Sequence, residues 1–151
     1  MYKKILVPVD GSDASRVGLE EALKLANGLQ AKVCLVHGVN EMFMPAVNFS
    51  GMYVDDFIKS LRESGNAILE DAKARARKVG VEPEAVLVEA FGKRASDLII
   101  QQAKEWQADL IVMGTHGRRG VRRIALGSDA EHVLREATVP VLLVRSGAAS
   151  E

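Results

Sequence analysis

One cysteine in 151 residues, Cys34, leaves no disulfide to staple the fold and no thiol pair to hold a metal. It stands inside "KVCLVH", a strand-like run, and reads as a buried, inert thiol. Net charge is absent too, with 20 basic against 20 acidic residues. No overall field therefore draws the chain to nucleic acid or to an anionic membrane. Aromatic residues make up only 5 % and do not interleave with the arginines, which removes a stacking platform for single strands. No apolar run is long enough to cross a bilayer. The start, "MYKKILVPVDGS", has neither a signal-peptide core nor a cleavage site, so a cytoplasmic protein is expected. No internal repeat or linker interrupts the chain. One domain is expected over 1–146, with 147–151 as a frayed tail.

What is present is an alternation of short apolar runs and helical patterns. "KILVPV" (4–9) is apolar almost throughout, as a strand covered on both faces should be. Leu19, Ala22, Leu23 and Ala26 then mark one face of a helix over about 15–28, with Gly28 placed to end it. Asp13 or Ser12 is the default N-cap. "KVCLVH" is the second strand, and 38–53 shows no clear period. A long helix is expected from about Asp55, with Leu61, Gly65, Ile68, Ala72, Ala76 and Val79 inward and Gly80 as its stop. "AVLVEA" is the third strand. A helix over 93–106 turns Ala95, Leu98, Ile99 and Trp106 inward. "DLIVMG" is the fourth strand. The fourth helix begins near Ser128, with Ala130, Val133, Leu134 and Ala137 on one side. "VPVLLVR" (139–145) is the fifth strand. The order β-α-β-α-β-α-β-α-β implies parallel strands joined by right-handed crossovers, an open doubly wound α/β sheet with helices on both faces.

Such sheets bind ligands beyond the carboxyl ends of their strands, where the strand order switches. Two of those ends carry unusual residues. The first strand ends in "PVDGS", which puts Asp10 and Gly11 at the rim. The fourth opens into "GTHGRRGVRRIALGS", from Gly114 to Ser128. Gly114 and Gly117 allow close backbone approach and positive φ. Gly127 and Ser128 stand ahead of a helix whose first amides are unpaired and partly positive. Ser128 can cap that helix or offer its hydroxyl. A phosphate cradle and a plain glycine loop with a serine cap both fit this pattern. Other phosphate motifs fail on spacing. GxxxxGK[ST] is missing, Gly114, Gly117 and Gly120 are three apart rather than GxGxxG, and the third strand ends in Glu89-Ala90 without a phosphoryl-accepting aspartate. No His, Cys or carboxylate set has metal spacing.

Gly114-x2-Gly117-x9-Gly127-Ser128, with "KILVPVDGS", "ADLIVMGTHGRRG", "LGSDAEHVL" and "VPVLLVR", resembles the universal stress proteins of the nucleotide-binding branch across nearly the whole chain. The resemblance implies a five-stranded parallel sheet in order 3-2-1-4-5. It implies that Pro8, Val9 and Asp10 border the nucleoside, with the Asp10 carboxylate near the ribose. The residue after His37, here Gly38, would pack on adenine. Met113 and Gly114 would face the ribose and α-phosphate. Gly117, Gly127, Ser128 and the amide of Asp129 would hold phosphates. Gly38 stands where a branched apolar residue is common, and Val39 is the substitute wall. Asp129 stands where a small or apolar residue is usual, and its charge opposes a triphosphate. Arg118 and Arg119, with Arg122 and Arg123, can neutralise phosphates or stay solvated, and His116 lies in the same loop.

The cofactor implied is ATP, or AMP or ADP, with any Mg²⁺ held by the phosphates. The partner implied is a second copy, paired through the last strand between Val139 and Arg145, an apolar edge. The expected protein is a nucleotide-dependent stress or signalling factor, not an enzyme, with at most slow ATP hydrolysis because no general base is posed for water. Two alternatives stand beside it. An adenylyl-transfer relative needs an SGGxDS-type turn that "DGSDAS" does not supply. An interaction module without nucleotide leaves the glycines unexplained. The stretch from Met42 to Tyr53 reads as a flap, an interface or a packed loop.

Overall fold

The computed structural model describes residues 1–39, 51–90, 92–115 and 126–147, side chains 51–53 excepted. In chain order the elements are β1 (Lys4–Pro8), α1 (Asp13–Leu29), β2 (Lys32–Val39), α2 (Gly51–Lys78), β3 (Glu84–Glu89), α3 (Ala95–Glu105), β4 (Leu110–Gly114), α4 (Ser128–Glu136) and β5 (Val141–Val144). The five strands form one parallel sheet in the order β3-β2-β1-β4-β5. This is the expected doubly wound α/β architecture. The order reverses at β1, which pairs with β2 on one side and β4 on the other.

Alternation along the strands explains the two-sided core. Ile5, Val7, Leu35 and Val112 face α1 and α2, packing with Leu19, Ala22 and Ala72. Leu6, Cys34, Val36 and Ile111 face α3 and α4, packing with Ile99 and Val133. Leu6, Ile111 and Leu35 are wholly buried, worth roughly 2 kcal/mol each in apolar area removed from water. A strand filled on both faces reads as a continuous apolar run, which is why the pattern was visible in sequence.

Several element ends differ from expectation. Gly28 does not stop α1; the helix runs to Leu29, and Gln30 takes the left-handed cap (φ 52°) with its amide on the Ala26 carbonyl. β2 continues through Gly38 and Val39. α2 begins at Gly51 rather than Asp55, and Val79 lies just past its end, half exposed. Gly80 follows at φ 83° and does mark the stop. α3 is shorter than expected and Trp106 is its C-cap; the indole still turns inward, partly buried against the α3/α4 core, with Lys4 over its ring and its N–H on Glu84. Leu134 is half exposed, so the buried side of α4 is Ala130 and Val133. The stretch 40–50 and the tail residues 148–151 lie outside the described residues.

Cys34 is fully buried at the centre of β2. Burial, with Glu84 nearby, pushes its thiol from 9.0 up to about 12. The thiolate fraction at pH 8 is then roughly a thousandfold below that of an unfolded chain, so a thiol reagent should label the native protein only as it opens. The folded value lies above the unfolded one. Its contribution to stability is therefore full below pH 9.0 and is lost as pH rises from there through about 12. Cys34→Ala should flatten urea midpoints over that alkaline window.

Candidate functional site

The carboxyl ends of β1, β2 and β4 meet at the switch in strand order, and the residues there are fixed by short local bonds. After β1 the chain turns through Asp10 and Gly11 (φ 80°) into α1. Asp10 Oδ1 accepts the Ser12 amide at 2.8 Å, and the Asp10 amide donates to Ser15 Oγ at 3.1 Å. Ser12 caps α1 by accepting the Ser15 amide on its Oγ at 3.1 Å. Asp13, the other expected cap, is the first helical residue. The three bonds close a ring that holds the Asp10 carboxylate at the rim. Val9 is tied twice to β2: its amide donates to the Val36 carbonyl at 2.9 Å, and its carbonyl accepts from His37 Nδ1 at 2.7 Å. A carbonyl only accepts, so Nδ1 carries the hydrogen. Neither the Ser15 hydroxyl nor the His37 strut was visible in the sequence pattern.

The pleat divides the expected nucleoside residues. Pro8, Gly38 and Met113 fall on the α3/α4 face, two residues beyond Leu6, Val36 and Ile111 on their strands. Val9 belongs to the core under α1 and α2, and Val39 is buried beside His37 on the same face of β2. What Val9 offers a ligand is backbone, not side chain. At Gly38 a side chain would stand 3.1 Å from Leu98 Cδ1. Leu98 of α3 thus already fills the space that a branched residue would take.

Gly114 is needed for a reason other than ligand approach or positive φ. It is not among the left-handed glycines. A Cβ there would stand 2.3 Å from the Ala14 carbonyl oxygen, and one at Gly18 would stand 2.7 Å from the Gly114 amide nitrogen. Backbone of α1 and β4 touch here, which seats the Asp10 turn against the end of β4.

Beyond β4, Thr115 donates its amide to the Val144 carbonyl at 3.1 Å and accepts the Gly127 amide on its own carbonyl at 2.8 Å. That second bond brings the start of α4 back to the end of β4. It also spends the Gly127 amide inside the fold. Gly127, not Ser128, is the N-cap, and no side chain caps the helix. The Gly127 carbonyl accepts the Glu131 amide at 2.9 Å. The amides of Ser128, Asp129 and Ala130 come before the first intrahelical donor and have no acceptor within the helix. Ser128 and Asp129 are exposed residues, and amides without an acceptor at a helix start favour an anion. The Asp129 carboxylate shares that first turn with Glu131 and already favours the positive helix end. His116, Gly117, Arg118, Arg119, Arg122 and Arg123 lie outside the described residues.

Among the described residues no group of three His, Cys, Asp or Glu is placed to hold a metal, and no helix is long and apolar enough to cross a membrane. A groove of about 260 Å³ lies at the opposite end of the sheet, between the last turn of α3 and the end of α4. It is lined mainly by apolar groups such as Ala103, Ala108 and Val139, with no convergent charged set, so the switch-point crevice is the better candidate.

Residues 1–145 match the model of the universal stress protein family. The universal stress protein YxiE of Bacillus subtilis is 34% identical over 96% of this chain and 100% of its own length. A universal stress protein family structure from Burkholderia pseudomallei superposes with a TM-score of 0.75 at 34% identity, covering 96% of this chain and 97% of that one. The universal stress protein of Archaeoglobus fulgidus in complex with dAMP gives a TM-score of 0.66 at 29% identity, over 94% and 97% of the two chains.

Proposed function

The chain belongs to the universal stress protein family, and from that premise we propose that it binds an adenine nucleotide in the crevice over the end of β1. The observation that carries this reading is the 2.8 Å bond from the Gly127 amide to the Thr115 carbonyl. It sets the open amides of Ser128 and Asp129 beside the strand ends that present Asp10, Pro8 and Met113. The phosphates of ATP, ADP or AMP rest on those two amides, the ribose lies toward the Asp10 carboxylate, and the base lies over Pro8 toward Gly38 and Leu98. Gly114, Gly117, His116, Arg118 and Arg119 complete the phosphate side, and Mg²⁺ enters with the phosphates. The dAMP carried by the Archaeoglobus relative supports the ligand class.

The same reading makes the protein a cytoplasmic stress or signalling factor whose nucleotide occupancy is read by partners, with at most slow hydrolysis. It pairs with a second copy through β5, whose Leu142 is exposed; sedimentation as a monomer at micromolar concentration would remove that part. Mass spectrometry of molecules released on denaturing the purified protein tests the ligand. A stoichiometric adenine nucleotide is the expected result. Protein that is empty and also ignores added ATP would sink the proposal.

Asp129 sets the preference among nucleotides. Its carboxylate repels a phosphate chain at the α4 start by about 1 kcal/mol. Asp129→Val should tighten ATP binding about fivefold in calorimetry, and an unchanged affinity would show that the carboxylate does not face the phosphates.

A further inference from the structure

α3 opens without a side-chain cap. Its N-cap is Arg94, which makes no capping hydrogen bond, whereas α1 has Ser12 folded back on Ser15. The amides of Asp97 and Leu98 both donate to the Arg94 carbonyl, at 3.1 and 3.3 Å. The amides of Ala95 and Ser96 come earlier and have no acceptor within the helix. In this same turn Ser96 has no exposed surface, and its Oγ has no hydrogen-bond partner. A serine deeper in a helix returns its hydroxyl to a carbonyl four residues back, but at the second position no helical carbonyl is available. A buried, unpaired hydroxyl weakens the fold, and alanine would not.

Two facts direct that hydroxyl. Every Cα–Cβ bond of a helix leans toward its N-terminus. Ser96 also heads the stripe Ser96, Ile99, Ala103, and the latter two pack with Met113 and Ala130. Its Oγ therefore leans toward the start of α3, on the side where α3 packs against α4, which defines a wedge between the two helices at the carboxyl edge of the sheet. Asp97 Oδ1 and His132 Nε2, 3.0 Å apart, fasten the two helices beside this wedge. Both helices start at this edge of the sheet, and each start adds partial positive charge there.

We infer that Ser96 is a ligand-contact residue. Its hydroxyl, together with the first-turn amides of α3 and α4, donates hydrogen bonds to a phosphoryl oxygen that enters the wedge. The subsite takes that oxygen from the phosphate chain of a nucleotide or from free phosphate. Only the first source rests on the nucleotide reading above.

The test uses the full chain and Ser96→Ala, with melting curves without ligand and calorimetry with ATP, adenosine and inorganic phosphate. Without ligand, S96A should melt about 3 °C higher, because the unpaired hydroxyl is gone. It should bind ATP about tenfold more weakly, the size of a lost hydrogen bond to a charged group, and adenosine equally well. Weakened binding of inorganic phosphate in place of ATP also supports the subsite and assigns it to free phosphate. Should wild type ignore nucleotides yet bind phosphate in a Ser96-dependent way, the nucleotide reading falls and the subsite stands. ATP and phosphate affinities equal in both proteins overturn the inference and leave the nucleotide reading intact. A lower melting point for S96A overturns it as well, since the hydroxyl would then serve the fold.

Discussion

Replacing Gly114 with alanine is expected to lower the melting temperature by about 10 °C. The new Cβ would stand 2.3 Å from the Ala14 carbonyl oxygen and 2.6 Å from its carbon. Both are backbone atoms of α1, so no rotamer change relieves the overlap. The helix must move off β4 as a body, and its contact through Gly18 opens with it. Overpacking of this kind costs about 3 kcal/mol, which at this chain length gives the stated shift. Gly28→Ala is the control. It lies within α1 and would meet nothing within 4 Å, so it should raise stability by about 0.5–1 kcal/mol through helix propensity. Thermal melts followed by circular dichroism decide the matter. A loss below 3 °C for Gly114→Ala would mean that α1 and β4 are not in backbone contact.

The second large effect is expected from Gly127→Pro. Gly127 has φ −58° and ψ 148°, which proline adopts without strain. At this residue the substitution removes the amide that donates to the Thr115 carbonyl at 2.8 Å. Thr115 is 6% exposed, so water replaces that donor poorly. The cost is about 2 kcal/mol in stability, roughly 6 °C in melting temperature. ATP affinity should fall at least about tenfold, because the open amides of Ser128 and Asp129 are no longer held beside the end of β4. A variant that loses stability while keeping its ATP affinity would detach this bond from ligand binding.

Pattern alone carried the architecture a long way, for a physical reason. Strands such as Ile5–Val7 and Leu110–Val112 are covered on both faces and must be apolar throughout, and the helices between them bury one stripe each. Parallel pairing and a site at the carboxyl ends follow from that alternation. Helix ends were harder to read. Gln30 rather than Gly28 takes the left-handed cap, and Gly127 caps α4 through its backbone while Ser128 does not. These outcomes depend on which carbonyl the chain finds after the turn, which local propensity does not encode. Contacts between distant residues were out of reach. That Gly114 is glycine because of Ala14, and that Leu98 occupies the side-chain space at Gly38, depends on how α1 and α3 settle on the sheet. The unpaired Ser96 hydroxyl belongs to the same class, since a helical pattern does not reveal a missing partner.

A crystal structure of the full chain grown with millimolar ATP would locate the nucleotide. Phosphate oxygens should stand about 3 Å from the amides of Ser128 and Asp129, with the nucleoside over Pro8 and Met113 and the ribose toward Asp10. Nucleotide density in the groove between the far ends of α3 and α4, or none at the carboxyl ends of β1 and β4, would contradict that placement.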